Sequence, residues 1–157
     1  MKIILLVTGE TKTAYLRQGI DQYFSRLKHY IPSELQVLPD IKASKAMTET
    51  RQKELEGQQM LQSLQPGDYV LLLDERGKEM TSREFAAWVD SRMVSGLKRL
   101  VMVIGGPYGF SPEVYSRADA RLSLSRMTFS HEMVRLFVAE QLYRAMTILR
   151  NEPYHHD

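Results

Sequence analysis

Five short apolar runs punctuate the chain, with room for a helix between successive runs, and this alternation limits the possible folds more than any other feature. The runs are KIILLV (2–7), LQVL (35–38), YVLLLD (69–74), LVMVIG (100–105) and, more weakly, RLSLS (121–125). Between them Leu16, Ile20, Tyr23, Phe24 and Leu27 recur at helical spacing. So do Leu55, Met60, Leu61 and Leu64, and then Phe85, Trp88, Val89 and Met93. Strands joined through helices run parallel, and runs that are apolar at nearly every position belong to strands covered on both sides. The expected fold class is therefore α/β, a mostly parallel sheet with helices on both faces. The turn at Gln65-Pro66-Gly67-Asp68 is too short to be a linker, and 157 residues suit a single domain spanning 1–157.

Composition removes several function classes. The chain has no cysteine, which excludes thiolate chemistry, zinc ribbons and disulfide frameworks and fits a reducing compartment; a cytoplasmic location is the expectation. The apolar start is too short for a signal-peptide core, and no run approaches the roughly 20 apolar residues of a membrane span. A formal charge of +2 is too small to coat nucleic acid non-specifically. An anionic partner has to be met by a local patch, which dimerisation could double.

Three strand ends carry the functional signal. The third run ends on Leu73-Asp74, the fourth on Gly105-Gly106, and the fifth leads into Ser125-Arg126-Met127-Thr128-Phe129. In open parallel sheets the carboxyl ends of strands form the ligand crevice, so these loops are expected to converge. The stretch VMVIGGPYGFSPE (101–113) enters a helix with Ser111 as N-cap and Pro112 in the first turn. Its glycines permit positive φ and close backbone approach, which suits either a ligand-binding loop or a tight structural turn. Its spacing is not that of a dinucleotide fingerprint, and Thr8-Gly9-Glu10-Thr11-Lys12-Thr13 has no phosphate-loop pattern. HEMVR (131–135) opens like a zinc-protease motif, but Arg135 stands where the second histidine belongs, so no metal is expected.

The clearest helix lies within 130–153, capped by Ser130 and followed by Pro153. Val134, Phe137, Val138, Gln141, Leu142, Ala145 and Ile148 trace one broad face, to be covered by the sheet or by a second subunit. Glu140 and Arg144, four apart, are either an exposed helix pair or a site at which Arg144 holds a phosphate or base. The ending YHHD reads as an idle tail, the usual fate of chain ends, or, if something orders it, as groups for base stacking and proton transfer.

Three segments in fixed order, VIGGPYGFSP, LSLSRMTFSHEMVRLFVAEQLYRA and NEPYHHD, resemble the RlmH family of SPOUT-class RNA methyltransferases, most closely from Leu71 to His155. The resemblance implies an α/β fold whose C-terminal part is threaded into a trefoil knot, of which periodicity gives no sign. It also implies a homodimer, S-adenosylmethionine as methyl donor, and N3 of a pseudouridine in 23S ribosomal RNA, within the assembled ribosome, as acceptor. By position, Leu73, Gly105, Leu124, Ser125, Arg126, Met127, Thr128 and Phe129 fall where the family contacts the cofactor, with backbone groups reading the adenine so that the Arg126 side chain need not be a ligand. Glu140, Arg144, Tyr154 and His155 fall on the catalytic, acceptor side: His155 as proton acceptor, Tyr154 stacking on or hydrogen-bonding the base, Arg144 placing it. With the resemblance, the apolar face of the last helix puts Val138 at a dimer contact. One departure is His156, where the family commonly carries Arg or Lys. The alternative function is a non-catalytic ribosome- or RNA-binding module of the same fold. A small-molecule phosphate enzyme is disfavoured by the missing phosphate-loop lysine and the lack of an acid cluster for magnesium.

Overall fold

The computed structural model describes residues 1–42 and 44–157. Strand and helix alternate throughout: β1 (Lys2–Thr8), α1 (Ala14–Leu27), β2 (Ser33–Leu38), α2 (Glu49–Ser63), β3 (Tyr69–Glu79), α3 (Ser82–Val94), β4 (Arg99–Ile104), α4 (Pro112–Arg117), β5 (Ala120–Ser123) and α5 (His131–Leu149). The five strands form one sheet in the order β2-β1-β4-β3-β5, and every pairing is parallel. All carboxyl ends therefore emerge along one edge.

Strand periodicity sorts the apolar runs into two cores. Ile3, Leu5, Leu71, Leu100 and Met102 pack with α1, α3 and α5 through Ile20, Phe24, Phe85, Val89 and Leu142. Ile4, Leu6, Val70, Leu72, Val101 and Val103 turn to the other face, against Met60 of α2 and Val114 of α4. Each fully buried Leu or Ile contributes about 1.5–3 kcal/mol, so α5 is held chiefly by its burial.

Two sequence expectations change. The third strand continues past Asp74 to Glu79, with a register shift between Leu73 and Lys78 where both lie opposite Leu122. Gly77 makes that second approach possible, because a Cβ there would lie 2.8 Å from backbone atoms of Arg121 and Leu122. The polar sequence ERGKE carries no alternation that would have announced a strand. Val138 is 1 % exposed within the single chain and belongs to its own core, so it is not a dimer-contact position. Of the broad face of α5, Val138, Leu142 and Ala145 are buried in the protomer, while Phe137 and Gln141 remain half-buried.

Candidate active site

The three strand-end loops do meet. A cavity of about 550 Å³ opens at the carboxyl edge of β3, β4 and β5, a size suited to a nucleoside-sized ligand. Leu73, Gly105, Leu124, Ser125, Met127, Thr128 and Phe129 line it, together with Ile104, Phe110 and Leu122 as apolar walls. Arg126 alone of the expected cofactor positions is not in the lining: its guanidinium points outward, 88 % exposed, 3.6 Å from Glu79.

The glycine loop works through space more than through unusual dihedrals. Among its glycines only Gly109 has positive φ, +82°, and its amide closes the turn onto the Gly106 carbonyl at 3.1 Å. A Cβ on Gly105 would stand 3.2 Å from the Phe110 ring, so any side chain there competes with the cavity wall. Ser111 caps α4 by accepting from the Val114 amide. On the facing loop Ser125 Oγ accepts from the Met127 amide at 3.0 Å, and the Thr128 hydroxyl donates to Glu75 at 2.8 Å. The rim also holds Asp74, which accepts from the Tyr115 hydroxyl at 2.8 Å; burial first, then this bond, raises the Tyr115 phenol above its ordinary pKa. An apolar slot closed by bare backbone and rimmed with polar groups suits the purine and ribose of a nucleoside ligand.

A second constellation lies further along α5. Glu140 Oε1 accepts from Arg144 Nε at 3.0 Å, from Arg144 Nη2, and from the Tyr154 hydroxyl at 3.1 Å. Arg144 Nη1 donates to His155 Nδ1 at 3.1 Å, and its guanidinium lies 4.8 Å from the centre of the Tyr154 ring. Since arginine can only donate, Nδ1 is the acceptor. Nε2 of the neutral ring then carries the hydrogen and donates to Asp157 at 2.8 Å, which Arg83 of α3 holds in turn at 2.8 Å. The Glu140 bond raises the Arg144 pKa above its ordinary value. Burial and the hydroxyl contacts to Tyr23 and Glu140 raise that of Tyr154, which stays a phenol at any working pH. Glu140, Arg144, Tyr154 and His155 are thus brought together, at side-chain exposures of 18 % and 24 % for Glu140 and Arg144, not as a solvated pair. The His156 side chain makes no hydrogen bond or ion pair among the described residues.

The chain reaches this arrangement by a reversal that the sequence does not advertise. Asn151 adopts φ +56°, a region asparagine tolerates, and the Glu152 amide returns to the Thr147 carbonyl at 2.9 Å. The tail then folds back along α5. Another unanticipated feature is Arg135, 1 % exposed, whose guanidinium donates to the carbonyls of Thr8 and Gly9, each at 2.8 Å, and to Thr11 Oγ1 at 3.0 Å. The residue that breaks the zinc pattern ties α5 to the end of β1. Among the described residues no group of three or more His, Asp or Glu is placed to hold a metal ion. No helix of the described residues is long and apolar enough to cross a membrane.

The site is a nucleoside-sized cavity at the carboxyl edge of a parallel α/β sheet, and residues 1–155 match the family described as "Predicted SPOUT methyltransferase". The chain belongs to the SPOUT methyltransferases, within the RlmH family. It is 56 % identical over 157 residues to the ribosomal RNA large subunit methyltransferase H of Parabacteroides distasonis, with each chain covered completely. The proteins of the same name from Christiangramia forsetii and Bacteroides fragilis are 54 % identical over 99 % of each chain and 51 % identical over 100 % of each chain.

Proposed function

We propose that the protein is a homodimeric S-adenosylmethionine-dependent methyltransferase acting in the cytoplasm on N3 of a pseudouridine in 23S ribosomal RNA of the assembled ribosome, the tail of one protomer completing the pocket of its partner. One observation carries this reading. The cavity lining on α5 ends at Val134, while Glu140 and Arg144 stand six and ten residues later on the same rigid helix, about 9 and 15 Å away by helical rise. Methyl transfer needs donor and acceptor in contact and in line, and a second copy laying its tail over this pocket would close that gap. The exposed apolar side chains of Met127 and Phe129, next to an apolar cleft of about 290 Å³ reaching Phe137 and Gln141, offer a surface for it. The relatives named for ribosomal RNA support the acceptor. The C-terminal knot belongs to the same proposal.

When bound, the cofactor would supply an activated methyl group on a sulfonium. The residues present fit it: Leu73, Ile104, Leu122 and Leu124 offer apolar walls, and the glycine loop leaves the backbone bare. On the acceptor side the chain must place the base and take a proton from N3. At rest Arg144 masks the Nδ1 lone pair of His155. An RNA phosphate or base oxygen is a stronger partner for the guanidinium than a neutral imidazole, so arriving RNA draws Arg144 away and leaves Nδ1 free to accept the proton. Glu140 keeps Arg144 aimed throughout. Tyr154, always a phenol, hydrogen-bonds or stacks on the base and takes no part as a base itself.

Heterodimers test the arrangement. Combining a Gly105→Val protomer with a His155→Ala protomer leaves one intact pocket and one intact tail on opposite chains. Transfer of labelled methyl to ribosomes by the purified heterodimer, with neither parent homodimer active, is the expected result. An inactive heterodimer that still binds S-adenosylmethionine would sink the shared site. Comparing free large subunits with whole ribosomes identifies the acceptor particle.

A further inference from the structure

The glycine loop lines the pocket, and it also rests on α2. A Cβ built on Gly106 would lie 2.3 Å from Oε2 of Glu56, and one built on Gly57 would lie 2.4 Å from Oγ of Ser111. Consecutive residues of α2 are thus seated against the two ends of the loop, carboxylate on backbone at one and backbone on hydroxyl at the other. Gly106 lines the cavity; Glu56 does not. A single layer of backbone separates this carboxylate from the ligand space.

Glu56 is 4 % exposed, an unusual state for a glutamate on an otherwise polar helix. Its Oε1 accepts from Gln52 Nε2 at 3.0 Å, and among the described residues no Lys, Arg or His forms an ion pair with it. Burying a carboxylate without a cation is unfavourable, and filling space behind a loop needs no charge. Glutamine or methionine would fill it as well. The methyl donor would bring a charge of opposite sign to the cavity on the other side of Gly106, because its sulfonium is cationic, whereas the sulfur of the demethylated product is neutral.

We infer that Glu56 is a specificity-determining residue that imposes a negative potential on the pocket through Gly106 and so favours the cationic methyl donor over its neutral-sulfur product. The inference rests on the reading of the cavity as the S-adenosylmethionine site. Glu56 touches no ligand; it acts as a fixed charge in surroundings that screen it poorly. Such a field strengthens donor binding and weakens product binding relative to it, which hastens exchange after each transfer. Asp74 and Glu75 also line the cavity, but Asp74 lies 3.9 Å from Arg76 and Glu75 is exposed to solvent at the rim, so Glu75→Gln serves as the comparison.

Calorimetry on the full-length protein with S-adenosylmethionine and S-adenosylhomocysteine, each alone, reads the effect. Glu56→Gln should weaken binding of the first about tenfold and of the second less than about twofold, with an unchanged or higher melting temperature, while Glu75→Gln moves the ratio less. Glu56→Met serves if the glutamine variant does not fold. Equal loss for both ligands would assign Glu56 a structural role and overturn the inference. So would an unchanged ratio, or a larger effect from Glu75. A wild-type protein that binds neither ligand would instead remove the cofactor assignment on which the inference stands.

Discussion

Replacing Glu140 by Gln keeps the shape of the side chain and removes its charge, which isolates what that charge does. One oxygen of Glu140 collects Arg144 Nε at 3.0 Å, Arg144 Nη2 and the Tyr154 hydroxyl at 3.1 Å, and the other accepts from the Gln141 amide at 3.1 Å. Bonds to a charged group contribute about 1.5–3 kcal/mol when buried. At 18 % and 24 % side-chain exposure, solvent screening reduces the net loss to about 1 kcal/mol. For a domain of this length that lowers the melting temperature by about 2–4 °C. Activity should fall far more, because Arg144 and Tyr154 lose the acceptor that aims both: about 10²-fold in methyl transfer to ribosomes. Affinity for S-adenosylmethionine should stay within about twofold, since the cavity lining on α5 ends six residues earlier. Thermal unfolding, calorimetry and labelled-methyl transfer on one preparation give all three numbers. A turnover within about threefold of wild type would show that Glu140 does not orient the acceptor side, and a parallel collapse of cofactor affinity would show that pocket and tail are not separate units.

Gly105→Val should abolish S-adenosylmethionine binding in a folded protein, because a Cβ there already stands 3.2 Å from the Phe110 ring; unchanged affinity by calorimetry removes the loop from the site. Arg135→Met should cost about 3 kcal/mol in urea unfolding, since it leaves the Thr8 and Gly9 carbonyls without their donor; an unmoved midpoint refutes that tie. Tyr30, whose hydroxyl bond to Glu152 pushes its pKa up to about 12, holds its proton in the folded state after the unfolded chain has released it at about pH 10. Its contribution to stability is therefore complete below about pH 10 and is lost as pH rises towards 12, so the gap between wild type and Tyr30→Phe should be flat from pH 7 to 9 and shrink above.

The alternation of β1 to β5 with helices was readable because parallel strands buried on both faces cannot afford polar interruptions. The convergence of Leu73, Gly105, Ser125 and Met127–Phe129 followed from where such strands end. What stayed hidden depended on contacts between distant segments. Glu56 lies on a helix whose composition announces solvent, and its burial arises only when α2 meets the glycine loop. The extension of β3 through ERGKE needs β5 beside it, and the burial of Arg135 needs three acceptors more than 120 positions away. Tyr154 and His155 were named through family resemblance; that they fold back onto Glu140 and Arg144 depends on the left-handed turn at Asn151, which no periodicity marks.

The Arg135 tie also bears on the order in which the molecule can assemble. The carbonyl of Gly9 waits for a guanidinium 126 residues further along, and β1 gains its neighbour β4 only when Lys2–Leu6 meets Arg99–Val103. A sheet closed by such remote partners folds slowly, since the loops between them must be gathered before any contact repays the effort. During synthesis β1 emerges early and stays incomplete, with β4 and α5 still to be made after β2, α1 and α2 have appeared. Fragments that stop short of α5 should therefore aggregate rather than form a smaller stable core.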